Sequence, residues 1–448
     1  MTGLRSIPRA PGWLPVIGHT RPMAQAPYAF ITSLHTTGDL VRVDLGPMPV
    51  YFVTSAELAH EVMVTKARSF HKGRFFDRLR QLVGDGLATS DGDLHRAHRR
   101  LMQPMFHKQR IAGYAEDMSN RALELAESWT EGETVEVDAV MGEFVVNTIA
   151  AALFATDIGA PAAEVVRRNV PVIIQNLLLR TVSPPVLDRV PIPPNRRFDR
   201  AAKELLKVID GVVTAARAAG EGDLAEAPDL LSTLLAARDA DTGQALTDEE
   251  VRDELGTILF AGTEATASTL AWALYEVATH PEVEERLLAE IDAVVGTGPV
   301  TFEDIGRLEY LRKVVDETVR LHSVTLLMRR AIEPVEIGGV TVPAGTEIAF
   351  SLYGLHRDPR VFPHADTFDP DRELPREAFL PFGSGNRKCI GDAFSWTEII
   401  IAMATVLARW RLRPSADHTP KEAIAAVPHP DRMPMTVTRR SVREPVPA

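Results

Sequence analysis

The only cysteine of the chain, Cys389, ends a glycine-rich loop and precedes an apolar stretch with helical spacing. The loop reads Phe382-Gly383-Ser384-Gly385-Asn386-Arg387-Lys388-Cys389-Ile390-Gly391. A helix N-terminus and the neighbouring Arg387 and Lys388 favour the thiolate form of this cysteine. Gly385 and Gly391 allow the backbone to approach a flat partner closely. Because no histidine stands nearby as a base, a nucleophilic role is the weaker functional interpretation.

This segment resembles the haem-binding loop of cytochromes P-450, whose pattern is Phe-x-x-Gly-x-Arg-x-Cys-x-Gly. The fixed positions match at Phe382, Gly385, Arg387, Cys389 and Gly391. The chance of finding Phe, Gly, a basic residue and Gly at these offsets from one cysteine is on the order of 10⁻⁵ from composition, which outweighs a merely structural cysteine. The resemblance implies that Cys389 is the thiolate ligand of haem b iron and that Arg387 pairs with a haem propionate.

Two further patterns follow the order of the family. Glu317 and Arg320 form an i,i+3 pair on one helix face, and Arg372 follows within Phe368–Arg372. Such pairs are common on solvated helices. The resemblance nevertheless implies that the three residues form a buried salt-bridge triad near the cysteine loop. Its role is structural, in haem incorporation, and a buried triad tolerates the loss of no member.

The basic stretch 93–100 would ordinarily be interpreted as a solvated helix face. It resembles the family's helix on which a His and an Arg, four residues apart, hold the haem propionates, which assigns His95 and Arg99. Arg329 lies nine residues after Arg320, in the position of a further propionate-binding arginine. Two buried carboxylates need partners of this kind.

A fourth pattern lies within the predicted helix 248–279, in Phe260–Thr266. Gly262 costs about 1 kcal/mol in a helix interior, so a reason for it is expected, either close helix packing or a groove. The resemblance implies an oxygen groove formed by Ala261, Gly262 and Ala265. Here the chain departs from the family: Ala265 stands where an alcohol is usual, and Thr266 is rotated by about 100° around the helix. We therefore expect catalytic proton delivery through Glu264 and water, with Thr266 as a second candidate.

The elements that must position these residues are mostly helices. Apolar periodicity predicts helices over 110–130, 137–156, 200–218, 248–279, 282–295, 308–322 and 392–410. Alternation predicts a β-hairpin over Leu40–Val53 and another over Val335–Phe350 with its turn at Gly338-Gly339. The prediction is a mainly α fold with a minor β-sheet region, with haem between helix 248–279 and the cysteine loop and helix 382–410.

Composition limits the possible functions. The 448 residues carry a net charge of −12, which disfavours non-specific nucleic-acid binding. The longest apolar run, Ile399–Ala408, is about half of what a bilayer span needs, and the first twenty residues lack the form of a signal peptide. A lone cysteine fits a reducing cytoplasm. We expect one cytoplasmic catalytic domain over 1–448, monomeric, without membrane anchor or separate reductase domain.

The family's substrate-enclosing segments are apolar in this chain, which favours a compact hydrocarbon-like substrate. They contribute Phe75, Phe76, Leu79, Leu82, Val83, Val172, Ile173, Ile174, Leu177, Leu178, Leu179, Ile258, Leu259, Phe260, Val324, Leu326 and Leu327. The sequence as a whole resembles terpene-oxidising actinobacterial members of the family. That resemblance implies stepwise oxidation of a cyclic sesquiterpene, such as pentalenene, in antibiotic or other secondary-metabolite biosynthesis.

Electrons for O₂ activation then come from outside, through a ferredoxin and an NAD(P)H-dependent ferredoxin reductase. Arg96, Arg100, Lys108, Arg110 and Lys388 offer a basic face for an acidic ferredoxin, or are simply solvated. Two other functions stay open. One is a haem-thiolate peroxygenase or isomerase acting on a fatty acid, against which Glu264 counts. The other is a non-catalytic haem sensor, against which the apolar segments count.

Thiolate ligation by Cys389 makes a spectroscopic prediction. The reduced carbon monoxide complex of the wild-type protein is expected to absorb at ~450 nm, the wavelength in the family's name, because the thiolate pushes electron density onto the iron. Cys389→Ser is expected to abolish that band. Absorption of the fresh wild-type complex at ~420 nm would reject the thiolate ligand.

Overall fold

Long stretches with apolar residues at helical spacing make most of the chain helical. The computed structural model describes residues 3–154, 159–182, 185–188, 190–219, 230–238 and 243–440. In order along the chain, its α-helices are α1 Thr20–Gln25, α2 Pro27–Ser33, α3 Ala56–His60, α4 Arg74–Val83, α5 Gly92–Met102, α6 Lys108–Ser128, α7 Val137–Phe154, α8 Gly159–Val182, α9 Pro185–Asp188, α10 Pro193–Ala219, α11 Leu230–Ala236, α12 Asp248–Thr279, α13 Pro281–Val294, α14 Glu309–Leu321, α15 Leu352–Leu355 and α16 Asp392–Arg409.

Short turns of tighter or wider helix connect several of these elements. The 3₁₀ turns are Leu4–Ser6, Leu34–Thr36, Ala67–Ser69, Gln103–Phe106, Asp304–Arg307 and Gly385–Arg387. A single π-helical turn at Glu61–Thr65 continues α3. Two of these short segments matter for the site, because the Gly385–Arg387 turn contains the cysteine loop's arginine and rests on the Glu61–Thr65 turn.

The strands form small sheets. They are β1 Leu40–Leu45, β2 Met48–Val53, β3 Phe70–Lys72, β4 Thr134–Glu136, β5 Leu327–Ala331, β6 Val335–Ile337, β7 Val340–Val342, β8 Glu347–Phe350, β9 Trp410–Pro414, β10 Glu422–Ala423, β11 His429–Pro430 and β12 Pro434–Arg439. The five-stranded sheet has the order β1-β2-β8-β5-β3, and only its β2–β8 pair is parallel. A three-stranded sheet has the order β4-β12-β9, and β6–β7 and β10–β11 are two-stranded.

The predicted helices are confirmed, with ends that differ by a few residues, except that α10 begins seven residues earlier than predicted. The best-defined boundary is the start of α12. Thr247 accepts a hydrogen bond from the Glu250 N–H at 3.2 Å, and Glu250 Oε2 accepts one from the Thr247 N–H at 2.7 Å. This capping box satisfies two of the unpaired amides of the first turn. His280-Pro281 ends the helix, as predicted.

Two features of the fold differ from the sequence prediction. The 24-residue helix α8 was not predicted, because Pro171 stands in its interior, where a proline normally costs about 3 kcal/mol. The second hairpin is shorter than predicted: β6 and β7 pair across Gly338-Gly339, but β8 leaves the hairpin and joins the five-stranded sheet. The intervening Pro343 cannot donate to a strand ladder, and the turn at Gly345 has φ +83°.

The largest hydrophobic core lies among the long helices. Helix α12 packs against α7 along its length, and α16 packs against α6. Within the described residues, no helix is both long and apolar enough to cross a bilayer. The central part of α12 and the loop before α16 bear the residues expected to carry chemistry.

Candidate active site

The cysteine loop is shaped by backbone hydrogen bonds and two left-handed glycines. The Cys389 N–H donates to the Phe382 carbonyl at 3.0 Å, which closes the loop on itself. Gly383 and Gly385 have φ angles of +71° and +72°. A Cβ at Gly385 would lie 2.4 Å from the Met63 carbonyl oxygen, so only glycine fits there. The loop therefore needs Gly385 for a contact with the protein's own backbone.

Gly391 differs from Gly385, although the sequence suggested one purpose for both. The nearest atom to a Cβ at Gly391 would be a Phe106 ring carbon at 3.6 Å, an ordinary contact. Among the described surroundings, nothing in the protein itself requires a glycine at this position. Phe382 packs edge-on against Trp396, with ring centroids 5.4 Å apart. The aromatic side chain thus anchors the start of the loop on helix α16.

Cys389 borders an internal cleft. Its side chain is accessible to solvent, yet burial is the main cause of the raised pKa of its thiol. Both hold for a group that is enclosed by protein and faces an interior space. The Gly391 N–H, Arg99 and Lys388 lower the pKa without offsetting burial. Lys388 therefore acts on the thiol in the expected direction, and burial opposes it.

Cationic side chains gather close to Cys389. His95 and Arg99 lie on α5, Arg329 lies on β5, and Arg387 lies in the loop itself. Arg99 donates to the Lys388 carbonyl at 2.7 Å. Arg387 donates to Asp91 at 2.5 Å and to the Phe70 carbonyl at 3.1 Å. The structure therefore brings the four predicted propionate-binding residues to one place.

The sequence analysis missed a fifth member of this cluster, Lys72. It lies on β3 directly opposite Arg329 on β5, is 6% exposed and donates to the Leu87 carbonyl at 2.6 Å. Its only sequence signal is a lysine at the end of a three-residue strand, Phe70–Lys72. Its neighbour is fixed by pairing between strands some 250 residues apart, which no local pattern reports.

The electrostatics of the cluster are those of a site for anions. Burial, followed by Arg387 and Arg329, holds the pKa of Lys72 well below its usual range. Burial and the charges of Lys72, Arg387 and Arg99 lower the pKa of His95 to about 3. Burial and Arg387 lower the pKa of Arg329 to about 10. The positive charges exceed the carboxylates that face them, so the cluster suits the two carboxylates of a haem.

Asp91 is the carboxylate that partly balances these cations. Burial raises its pKa, but Arg387 and the Lys72 N–H outweigh burial and bring the pKa below its ordinary value. The Lys72 N–H donates to Asp91 Oδ1 at 3.0 Å. Asp91 therefore fixes Arg387 and β3 relative to each other, which orients the cationic cluster.

Glu317, Arg320 and Arg372 meet in the interior. Both carboxylate oxygens of Glu317 accept from Arg320, each at 2.7 Å, and Oε1 also accepts from Arg372 at 3.2 Å. Arg320 and Glu317 are buried to within 1%. Arg320 also donates to the His356 and Ala365 carbonyls at 2.7 and 2.8 Å. A buried ion pair of this kind is stable only while its set of hydrogen bonds is complete.

The middle of α12 borders an interior space. Ala261 is exposed, although Phe260 and Thr263 beside it are buried. A Cβ at Gly262 would lie 2.8 Å from Ile149 Cδ1, so close packing against α7 accounts for this glycine. Ala265 remains partly accessible. The cleft side of the helix thus presents small residues and one acid, Glu264.

Glu264 is a buried acid with one free oxygen. Its Oε1 accepts from the Ala426 N–H at 3.2 Å, and its Oε2 has no protein partner within the described residues. Burial raises its pKa from 4.5 to about 8, although the Ala426 hydrogen bond lowers it. At neutral pH the group is mostly a neutral carboxylic acid that can donate a proton.

Thr266 points elsewhere. Its hydroxyl hydrogen-bonds the Ser395 hydroxyl at 3.0 Å, which joins α12 to α16. It is 4% exposed, and its partner lies six residues after Cys389 in the sequence. Thr266 therefore forms a contact between two helices.

Comparison with known proteins agrees with this site. The family model for Cytochrome P450 matches residues 8–433. A cyclooctat-9-en-7-ol 5-monooxygenase of Streptomyces melanosporofaciens is 40% identical over 90% of this chain and 89% of its own length. A pentalenene oxygenase of Streptomyces avermitilis is 35% identical over 96% of this chain and 97% of its own length. The chain belongs to the cytochrome P450 family.

Family membership settles the class of reaction and the cofactor. The protein is a cytochrome P450 monooxygenase that binds haem b through a cysteine thiolate, and Cys389 is its only cysteine. The fold is the mainly helical P450 fold. The cationic cluster and the enclosed thiol both fit that cofactor.

The buried triad gives a prediction about haem loading. Glu317→Ala or Arg320→Ala is expected to lower the free energy of unfolding by about 3–5 kcal/mol and to yield little haem-loaded protein, because a buried charge loses its partner. Haem content per chain and the melting temperature measure the effect.

A matched control is Arg307→Ala, which removes an i,i+3 partner of Asp304 on the surface. Such exposed pairs contribute ~0–1 kcal/mol, so haem content should stay unchanged. Equal behaviour of the buried and surface variants would contradict the structural role of the triad.

Proposed function

We propose that this monooxygenase hydroxylates or stepwise oxidises a cyclic terpene, with a pentalenene-like sesquiterpene as the first candidate. The observation that carries this proposal is the absence of charge from one of the enclosing segments: no charged residue lies between Val170 and Leu179. Phe75, Phe76, Val172 and Ile258 are partly accessible and pack against the helical core, as residues lining a pocket do. Leu178 and Leu179 lie outside the described side chains.

The names of the relatives support the same class of substrate. Two of them are called cyclooctat-9-en-7-ol 5-monooxygenase and pentalenene oxygenase, and a third, cyclooctatin synthase of Streptomyces melanosporofaciens, is 39% identical over 90% of the chain. A cyclic hydrocarbon or its alcohol suits a pocket without charges, since binding rests on apolar contact and shape.

Each residue of the site has a proposed role toward haem. Cys389 would bind the haem iron through its thiolate, and His95, Arg99, Arg329 and Arg387, together with Lys72, would hold the propionates. Phe382, Gly385 and Gly391 shape the loop, and Ala261, Gly262 and Ala265 line the oxygen groove. When bound, the haem supplies the reductive activation of O₂.

Glu264 is the proposed proton donor. It is neutral at physiological pH because burial raises its pKa, and its Oε2 is buried without a hydrogen-bond partner among the described residues. A group with a pKa near the working pH combines a sufficient protonated fraction with adequate acidity. Thr266 is the second candidate, but its hydroxyl bonds Ser395.

Two alternatives differ in how they use this acid. A peroxygenase or isomerase acting on a fatty acid consumes no external electrons and has no need of a neutral acid in the groove. A charged carboxylate on the substrate also finds no cation among the uncharged enclosing residues 170–179. A haem sensor requires no pocket for a hydrocarbon. Glu264 and the apolar segments therefore favour the monooxygenase with a hydrocarbon substrate.

We further propose a ferredoxin and an NAD(P)H-dependent ferredoxin reductase as the electron source. Arg96, Arg100, Lys108, Arg110 and Lys388 are all exposed. Arg99 links α5 to the cysteine loop through the Lys388 carbonyl, so basic residues on both elements share one side. Arg96 pairs with Asp93 and Lys388 pairs with Asp392, which reduces their net attraction for an acidic partner. A monomer in the cytoplasm remains part of the proposal.

Titration with candidate ligands tests the substrate class. Pentalenene, a cyclic diterpene alcohol and a C16 fatty acid are added to the ferric protein, and the Soret band is followed. A low-to-high-spin shift with a terpene at micromolar concentration and none with the fatty acid supports the proposal. The reverse order of affinities would reject it.

Proton delivery through Glu264 predicts a loss of coupling in Glu264→Gln. Product formation is expected to fall about 10²–10⁴-fold, the usual worth of general acid–base assistance, while hydrogen peroxide takes up the reducing equivalents. The measurement is product formed per NADPH consumed, with a saturating ferredoxin system. Thr266→Ala is the matched control and should remain far better coupled, because its hydroxyl faces Ser395.

The pH profile gives an independent check. The pKa of Glu264 is raised to about 8, so the donor form is present at lower pH and is lost as the pH rises through about 8. Wild-type coupling should fall over that window, and Glu264→Gln should show no such step. A Thr266→Ala enzyme that uncouples as badly as Glu264→Gln would assign the relay to the threonine.

A further inference from the structure

His356 lies between the buried triad and the cysteine loop. It caps the short helix α15 and is fully buried. Its carbonyl accepts a hydrogen bond from Arg320 at 2.7 Å. Its ring Nε2 accepts one from the Leu380 N–H at 3.0 Å. One residue therefore contacts the triad through its backbone and the start of the loop segment through its side chain.

The hydrogen bonds continue from Leu380 to the cysteine. The Leu380 carbonyl accepts from the Gly383 N–H at 3.0 Å, and the Phe382 carbonyl accepts from the Cys389 N–H at 3.0 Å. The path from Glu317 to Cys389 thus runs through Arg320, His356 and the turn at residues 380–383. Within it, the imidazole of His356 supplies the side-chain link between the triad's surroundings and the loop.

Only one state of the imidazole fits this place. Because Nε2 accepts an amide proton, the ring is neutral and carries its own proton on Nδ1. Among the described residues that Nδ1 has no hydrogen-bond partner, and the ring lies against Phe362 and Phe379, with centroids 6.1 and 5.4 Å away. Burial, followed by Arg320 and Arg357, lowers the pKa of His356 to about 3. The ring therefore stays an acceptor at any physiological pH.

We propose that His356 is a positioning residue for the iron ligand: as a neutral acceptor for the Leu380 N–H, it couples the Glu317–Arg320 pair to the loop that presents Cys389. The inference rests on the proposed role of Cys389. Histidine is not required for bulk here, since the aromatic neighbours would accept a phenyl ring. What the loop needs is the acceptor at Nε2.

Three substitutions distinguish the role of the His356 hydrogen-bond acceptor from that of the volume of its ring. His356→Gln can place its amide oxygen close to the position of Nε2. His356→Asn has a shorter side chain that falls short of Leu380, and His356→Phe keeps the ring without an acceptor. A buried amide left without a partner is costly, so the Phe and Asn variants should free the loop while the Gln variant holds it.

His19→Phe is the control for a general loss of stability. His19 is also fully buried, and its Nδ1 accepts the Asp44 N–H at 2.9 Å. Asp44 lies on β1, at the edge of the five-stranded sheet opposite β3. The two histidines thus make the same kind of side-chain-to-backbone bond. Only one of them is connected to Cys389.

The test uses the full-length, haem-loaded protein. The rate of haem transfer to apomyoglobin, the ~450 nm and ~420 nm fractions of the reduced carbon monoxide complex, and amide hydrogen exchange of residues 380–389 are compared. His356→Phe and His356→Asn should release haem at least about tenfold faster, absorb mainly at ~420 nm and exchange faster in that segment. His356→Gln and His19→Phe should behave as the wild type.

Three results overturn the proposal. They are unchanged haem release in His356→Phe, equal damage in His19→Phe, and a His356→Gln variant no better than His356→Asn. If His356→Phe does not fold, the comparison of Gln with Asn decides. A wild type absorbing at ~420 nm overturns the role of Cys389 itself, and with it this inference. If the wild-type complex absorbs at ~450 nm and the His356 variants behave like the wild type, only the positioning role is refuted.

Discussion

The interaction on which the site depends is the buried pair of Glu317 and Arg320. Removing both charges from water carries a large desolvation cost, which only a complete set of hydrogen bonds offsets. Arg320 meets that requirement by donating to carbonyls of residues 356, 365 and 367 as well as to Glu317. Each of those bonds fixes a point of an otherwise irregular chain segment. The segment before the cysteine loop has little regular structure, so the position of Cys389 follows from the pair.

The two sides of the cleft differ in electrostatic character. Near the cysteine loop, Lys72, Arg329 and Arg387 crowd together against Asp91, and the lowered pKa values of Lys72 and Arg329 show that the arrangement lacks negative charge. On α12, Glu264 has no cation beside it, and burial keeps it protonated. One end therefore attracts a dianionic group and the other excludes charge. A haem, with carboxylates at one edge and an apolar remainder, matches that division.

Local signals were enough to predict much of this arrangement. The capped start of α12, the long amphipathic helices and the motif residues around Cys389 all depend on neighbours in sequence. Lys72 was missed because its place beside Arg329 depends on pairing between β3 and β5. Helix α8 was missed because tertiary packing overrides the proline in its interior.

In the proposed mechanism, the position of the Thr266 hydroxyl leaves Glu264 without an alcohol to assist proton transfer. Thr266 comes one residue after the usual position of the alcohol. Its hydroxyl therefore lies between α12 and α16, where it hydrogen-bonds the Ser395 hydroxyl. Ala265 then leaves the groove with no side-chain hydroxyl beside Glu264. A charged carboxylate there could only accept protons, whereas a neutral acid can give one, and burial without a cation favours the neutral form. In the proposed mechanism, proton supply therefore depends on the raised pKa of Glu264.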